Sequence, residues 1–287
     1  YSAGSFVYVL GAGLHILDAS DPARPRLRGS YPGPVNDVQV AGNLAYIVTN
    51  NSLQILNIAN PDAPTLLSSR STIIDPQDIL VRGNLAYVSG TSDLDIFDVS
   101  DPVQPGIVGR YTRQFAGGTG LDVAGNFAYL TSITCGVTCS GALEIVDVSN
   151  PSNPTPRGVY RQLVSSVKVL GNRAYVTTDT VEILDVSDPD QPQLIDTYDS
   201  PGHATELQFQ AGYAYIADGY GGGLHIAAVT NLGDLQSRAT YKTAGETTDL
   251  HVVANKVYLA NADSGLKIFR IDPSLFPSSI FVPIVSQ

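Results

Sequence analysis

The octet Asp98-Val99-Ser100-Asp101-Pro102-Val103-Gln104-Pro105 sets two carboxylates, a hydroxyl and two prolines directly after an apolar run. That density of oxygen ligands would suit a hard cation or an acid–base pair. Four further carboxylates, Asp37, Asp78, Glu206 and Asp249, each stand at the start of an alternating apolar stretch. Gathered together they would form an acidic site for a cation, Ca²⁺ being the candidate, or for a basic side chain. Cys135 and Cys139 lie in ITCGVTC, where the chemistry open to them is a redox pair, half a metal site or a local disulfide. The spacing is not CxxC and no second Cys or His pair accompanies it, so the disulfide is the expectation. Of the four histidines, His15 and His225 sit at matching places in apolar runs, and only His203 and His251 are candidates to approach each other as metal ligands. The run Gly219-Tyr220-Gly221-Gly222-Gly223 has the composition of a phosphate loop, but it joins two strands and leads into no helix, so it reads as a flexible hairpin tip. No GxSxG elbow and no Ser/His/Asp arrangement stands out, and Asn50-Asn51-Ser52 is a formal glycosylation sequon at a hairpin tip.

What positions these groups is an internal repeat. The octet recurs as DASDPARP at 18–25, NIANPDAP at 57–64, DVSNPSNP at 147–154 and DVSDPDQP at 185–192. It decays to AVTNLGDL at 228–235 and to Arg270-Ile271-Asp272-Pro273 with Pro277 following. Seven units result, about 40 residues apart, the period of propeller blades. A second landmark, Gly-Asn plus an alternating apolar run, keeps phase with the octet as AGNLAY, RGNLAY, AGNFAY and LGNRAY, and more weakly as QAGYAY and VANKVY. Tyr8, Tyr46, Tyr87, Tyr129, Tyr175, Tyr215 and Tyr258 thereby form a ladder with one rung per unit, and packing between adjacent sheets is its expected role.

Each unit reads as four short strands. In the third unit they fall at 77–81, 85–88, 94–99 and 107–111, with Gly83-Asn84 closing the first hairpin and no helical periodicity between them. A sheet of this size cannot bury both faces alone, so consecutive units must stack face to face in a closed ring. The expected fold is all-β, a seven-bladed β-propeller of four-stranded blades with near-zero helix, occupying residues 1–287 as one domain. Aligning 3–8 with AGNLAY leaves the first blade without the start of its inner strand, and 279–286 is the outer strand of the last blade or, alternatively, the strand that closes the first. Because every blade carries the octet, its copies are spread around the ring and cannot converge on one ion; Asp or Asn before Pro is a turn signal. The positions of Asp37, Asp78, Gly120, Ser166, Glu206 and Asp249 coincide at the start of the inner strands, next to the central channel. An acidic channel mouth is one reading of them, and carboxylates that cap backbone donors in their own loops are the other.

The runs LEIVDVSNPSNP at 143–154 and VEILDVSDPDQP at 181–192, each followed by the GNxAYV pattern, resemble the LVIVD repeat of bacterial and archaeal surface-associated β-propellers. The resemblance extends over essentially the whole chain and implies a propeller in an extracytoplasmic setting, with no particular reaction. A disulfide accords with that compartment. With no Met and a start at Tyr1, the chain reads as part of a longer translation product from which a secretion signal is one candidate for removal. A formal net charge of −11 argues against nucleic acid, whose phosphates call for clustered Lys and Arg, and no apolar run is long enough to span a bilayer. The expected function is a non-catalytic, secreted or cell-surface interaction scaffold binding other proteins or surface polymers, with the inserted hairpin around Cys135–Cys139 as its specialised contact. The alternatives are a ligand- or cation-binding protein or enzyme working at the acidic channel mouth, and a self-assembling subunit of a cell-envelope structure or filament suggested by the apolar stretch 280–285. No cofactor is expected beyond Ca²⁺.

Overall fold

In the computed structural model, residues 1–72, 75–262, 264–271 and 282–285 are described. They form seven four-stranded antiparallel sheets, each ordered from inner to outer strand as the chain runs. Blade 4 is representative: Gly118–Ala124, Phe127–Cys135, Cys139–Asp147 and Thr155–Tyr160 follow one another across the sheet. The seven-bladed propeller expected from the repeat is the architecture observed. Among the described residues the single helical piece is the turn Gly219–Gly222. No helix there is long and apolar enough to cross a membrane.

The repeat landmarks acquire physical roles. All seven ladder tyrosines are buried, and each lies in an apolar cluster shared by neighbouring blades. One such cluster holds Tyr8, Leu14 and Ile16 of blade 1 against Val38, Ala45 and Ile47 of blade 2. Another joins Tyr258 and Ile268 of blade 7 to Val7 and Ala19 of blade 1 and so closes the ring. The Gly of each Gly-Asn pair is the first residue of a two-residue hairpin loop, with φ of 59° at Gly42, 58° at Gly83, 58° at Gly125 and 62° at Gly171. Glycine is favoured there because a Cβ clashes at positive φ. Ala211 and Ala254 occupy this position in blades 6 and 7 at φ of 51° and 52°.

The octets are tandem Asx turns. Asp98 Oδ1 accepts from the Ser100 N–H at 2.8 Å and Asp101 Oδ1 from the Val103 N–H at 3.0 Å, and the same pair of bonds recurs at Asp18 and Asp21, Asn57 and Asn60, Asp147 and Asn150, and Asp185 and Asp188. The octets at 98–105, 147–154 and 185–192 also clasp the preceding blade. The Ser68 hydroxyl donates to the Pro102 carbonyl at 2.7 Å, and Gly109 and Gly158 lie so close to the Pro151 and Pro189 carbonyls that a Cβ would collide. Octets and Gly-Asn turns share one face of the disc, as the bond from the Val99 N–H to the Asn84 carbonyl (2.8 Å) requires. The loops between second and third strands therefore open on the opposite face. Every outer strand carries a register shift against the third strand, which bends its unpaired edge.

The inner strand of blade 1 is only Ser2–Ala3, paired with Val7 and Phe6. Val282–Val285 pairs with Gly265–Arg270 as the fourth strand of blade 7. The end of the seventh octet, Asp272, Pro273 and Pro277, and the stretch 279–281 lie outside the described residues.

Candidate functional site

Strand register places Asp37, Asp78, Gly120, Glu206 and Asp249 opposite Val48, Ser89, Thr131, Ala217 and Ala260, in each case two residues beyond the ladder tyrosine. Ser166 occupies the same level through the bond from the Thr177 N–H to its carbonyl (3.0 Å). The four carboxylates thus share one layer at one end of the channel, on the face where second and third strands connect. A cavity of about 770 Å³ fills the channel and is lined by all four of them. Two residues along, on the same side of each inner strand, a second layer lies opposite the tyrosines themselves: Gln39, Leu80, Asp122, Lys168, Gln208 and His251. Sequence reasoning passed over Lys168 and Asp122, although counting two residues on from Ser166 and Gly120 identifies them.

Inner strands leave one edge of N–H and C=O groups facing the channel, and these need partners. The layers supply them across the blade boundaries. Asp37 accepts from the Val38 N–H (2.7 Å) and from the Ile79 N–H of blade 3 (2.9 Å). Asp78 accepts from the Leu121 N–H of blade 4 (2.8 Å), Asp122 from the Val169 N–H of blade 5 (2.7 Å), and Gln208 Oε1 from the Val252 N–H of blade 7 (2.9 Å). The carboxylates do cap backbone donors, but those of the next blade as well as their own. Glu206 departs from the pattern: it receives the Ser166 hydroxyl at 2.6 Å and pairs with Lys168 Nζ at 3.1 Å.

The electrostatics follow from this crowding. Burial opposes the charge of Lys168, yet Glu206, Asp78 and Asp122 together outweigh it and hold the amine above its ordinary range. Burial pushes the Glu206 carboxyl up, and Lys168 pulls it back. Asp37 is raised well above the usual carboxylate range by burial, then by the charge of Asp78 and the hydrogen bond between the two carboxyls. Burial raises Asp249 as well, although the residue is exposed at the channel. Asp37 and Asp78 therefore form a close carboxyl pair across the boundary of blades 2 and 3, and their proximity disfavours charge on Asp37.

The histidines do not converge. His251 stacks on Tyr1 with ring centroids 4.4 Å apart, accepts from Gln208 Nε2 at Nδ1 (3.3 Å), and is pushed down to about 3 by burial. His203 pairs with Asp179 at 2.9 Å on the surface. His225 is buried between Tyr198 and Thr240. It marks a third-strand position shared with His15, Asp95, Glu144 and Glu182, each opposite the residue after a ladder tyrosine. Tyr111 and Tyr160 hydroxyls donate to Glu144 and Glu182 of the following blade, both at 3.0 Å. Glu144 also faces Arg113 at 3.5 Å, with the two side chains 1% and 0% exposed. Among the described residues no group of three or more His, Cys, Asp or Glu side chains is placed to hold a metal ion.

Cys135 and Cys139 are joined in a disulfide at the tip of the longest hairpin, whose strands Phe127–Cys135 and Cys139–Asp147 run nine residues each. The tip is exposed, and Val137 at its apex is fully so. The glycine run is a helical turn and not a flexible tip: the carboxylate of Asp218 accepts from the Gly202 N–H (2.8 Å) and the Ser200 hydroxyl (2.9 Å), and a Cβ on Gly222 would strike it. Gly222 and Gly223 answer to packing, and Gly221 to a positive φ of 77°.

The family model described as LVIVD repeat matches residues 3–33, 32–72, 75–113, 118–162, 163–200 and 201–243, which are blades 1 to 6. No curated protein matches the chain. Among solved structures, a protein of unknown function from Desulfotomaculum acetoxidans is similar at 8% identity, with 98% of this chain and 96% of that one covered and a TM-score of 0.78. A candidate 6-phosphogluconolactonase from Bacteroides uniformis is similar at 13% identity, with 96% and 95% covered and a TM-score of 0.77. The periplasmic gluconolactonase of Pseudomonas aeruginosa is similar at 13% identity, with 84% and 80% covered and a TM-score of 0.71. At these identities what is shared is the fold.

Proposed function

This chain belongs to the LVIVD repeat family, and from that premise we propose that it is a non-catalytic, extracytoplasmic interaction scaffold that engages a protein or surface polymer through the disc face bearing the Cys135–Cys139 hairpin. One observation carries the reading: the hairpin is the feature the ring does not need. Its tip rises beyond the repeat, is closed by its own disulfide, and presents Val137 to solvent. The polar groups of the channel, by contrast, are engaged in joining blades, as the bonds from the Ile79, Leu121 and Val169 N–H groups to Asp37, Asp78 and Asp122 illustrate. The disulfide accords with an oxidising compartment.

Replacing residues 134–140 by Asn-Gly, which closes the hairpin at Ile133 and Gly141, tests the proposal. The expected result is unchanged thermal unfolding and loss of the proteins or polymers that co-purify with the intact chain under native conditions. An identical set of bound partners would refute it.

A second reading has one observation in its favour. The Asp37–Asp78 pair sets a carboxyl held well above its ordinary range beside a second carboxyl at the wall of the channel cavity, the kind of arrangement that acid–base chemistry or cation binding uses, and two of the similar folds carry lactonase names. Lactone hydrolysis or Ca²⁺ binding that is lost in both Asp37→Asn and Asp78→Asn would establish that reading.

A further inference from the structure

Arg157 and Arg161 both lie over aromatic rings, and only the first meets a carboxylate. Arg157 stands over Phe127, 5.9 Å from the ring centroid, and donates to both oxygens of Asp190 at 2.7 and 2.8 Å. Arg161 lies closer over Phe115, at 4.7 Å, and among the described residues no carboxylate stands within ion-pair distance of it. Arg161 is exposed and Phe115 half-buried. Both belong to the disc face that bears the Cys135–Cys139 hairpin, in the connections 113–117 and 161–166 that lead into the inner strands of blades 4 and 5.

The pair is held from below by two buried carboxylates. Glu144 accepts from the Gln114 and Phe115 N–H groups at 2.9 and 3.2 Å, and Glu182 accepts from the hydroxyl of Tyr160, the residue before Arg161. Both connections also lie against the hairpin. The Ile133 N–H donates to the Gly117 carbonyl at 2.9 Å and the Thr134 hydroxyl to the Ala116 carbonyl at 2.6 Å, while a Cβ on Gly141 would lie 2.9 Å from the Gln162 carbonyl oxygen. Phe115 and Arg161 therefore make a fixed platform at the foot of the hairpin, organised before any partner arrives. The surroundings are neutral and aliphatic: Leu163 is 40% exposed and Val137 fully so. In a chain of net charge −11, the segments 113–117, 136–138 and 161–166 contain no acidic residue, whereas other loops of this face expose Asp75, Asp179 and Asp199. Among the described residues the other exposed Lys or Arg on the loops of this face is Lys242, which shares its loop with Glu246.

We propose that Phe115 and Arg161 form a docking platform for an acidic side chain of a partner protein, an Asp or Glu flanked by an aliphatic residue that packs on Leu163. A guanidinium held over a ring keeps its N–H groups available to a planar anion, and Asp190 on Arg157 shows that a carboxylate is what such a group takes in this chain. A polypeptide fits better than a sugar polymer, because Arg161 covers a face of Phe115 on which a sugar ring would stack and because the exposed neighbours are aliphatic. The proposal deepens the scaffold reading and rests on it for the face engaged. Replacing residues 134–140 removes neither Phe115 nor Arg161, and Arg161→Gln leaves the hairpin whole, so the two fail separately.

The probe is the pentapeptide N-acetyl-Gly-Leu-Glu-Leu-Gly amide, titrated into the isotope-labelled 287-residue chain and followed by NMR at the Arg161 Nε–H and the Leu163 N–H. Both resonances are expected to shift and saturate, with affinity about fivefold lower for the same peptide carrying Gln in place of Glu. In Arg161→Gln the Glu peptide, read at Leu163, should fall to the level of the Gln peptide. Phe115→Leu keeps every charge but frees the guanidinium, and is expected to weaken the Glu peptide by about threefold. Should that variant fold poorly, raising the salt about tenfold on the unaltered chain tests the same contact and is expected to weaken the Glu peptide and spare the Gln peptide. Absence of saturation at about 5 mM Glu peptide overturns the proposal, as do equal affinities for the two peptides. Saturation of the same resonances by tetragalacturonate and not by the Glu peptide would also overturn it, by assigning the platform to an acidic polysaccharide.

Discussion

Replacing Asp37 by Asn removes the carboxyl that burial and Asp78 hold above its ordinary range. The folded-state pKa of Asp37 lies above its unfolded value because the site is buried and Asp78 stands beside it. A raised carboxyl contributes stability that is fully present below the unfolded value, near pH 4, and is lost as the pH climbs through the folded value. Across that window the folded chain binds up to one more proton than the unfolded chain, so stability falls by up to about 1.4 kcal/mol per pH unit. Asn is neutral at every pH: its carbonyl oxygen accepts from the Ile79 N–H, now bonded to Asp37 at 2.9 Å, and its amide donates to Asp78 in place of the carboxyl proton, while the Val38 N–H, bonded to the other carboxyl oxygen at 2.7 Å, loses its acceptor. The proton-linked slope should vanish while the bonds between blades 2 and 3 persist. Urea unfolding of both proteins in half-unit steps from pH 4.5 to 7.5 measures this. The expected result is a variant about 1 kcal/mol less stable at the acid end, for the lost Val38 bond, with the deficit shrinking and then reversing as the pH rises. Parallel profiles would refute the reasoning, as would an Asn variant less stable by more than about 2 kcal/mol at pH 7, since a neutral side chain would then be unable to replace the native one.

Glu144→Gln strands the Arg113 guanidinium, whose side chain is wholly buried, and is expected to cost about 3 kcal/mol by denaturant unfolding at pH 7. Ala254→Gly relieves a positive φ of 52° and is expected to stabilise by about 1 kcal/mol, whereas Ala→Gly in an inner sheet position such as Ala128 should destabilise. Gly109→Ala drives a methyl group into the Pro151 carbonyl and is expected to cost about 3 kcal/mol, while Gly106→Ala, with open space around it, should change melting little. Reducing the Cys135–Cys139 disulfide is expected to raise amide exchange at the hairpin tip alone, because the tip is exposed and outside every apolar cluster.

Much of the ring was legible because a repeat samples the same physics seven times. The octet reads as a turn from Asp or Asn before Pro, and its Asx bonds are local, spanning two residues. The tyrosine ladder declares packing because one large aromatic per unit, in phase with a strand pattern, has to be buried. The layer of Asp37, Asp78, Glu206 and Asp249 was also recoverable, since alternation along a strand sets which residues share a face. Lys168 was missed because it replaces neutral or acidic residues at its level and matches no pattern, although its charge decides how acidic the channel is. The glycine run at 219–223 misled because its constraint is the Asp218 carboxylate beside it, a contact no local rule specifies.

The sequence by itself determined the strands, the turns and the number of blades, all of which depend on residues a few positions apart and on a period that can be counted. Tertiary structure alone decided what the channel carboxylates do. Asp37 and Ile79 are 42 residues apart in the chain, and Asp122 and Val169 are 47 apart. Only closure of the ring brings a side chain of one blade to the open edge of the next. Whether a carboxylate serves as a ligand or as a tie between blades depends on which N–H lies within reach, a distance set by the ring and by no single repeat.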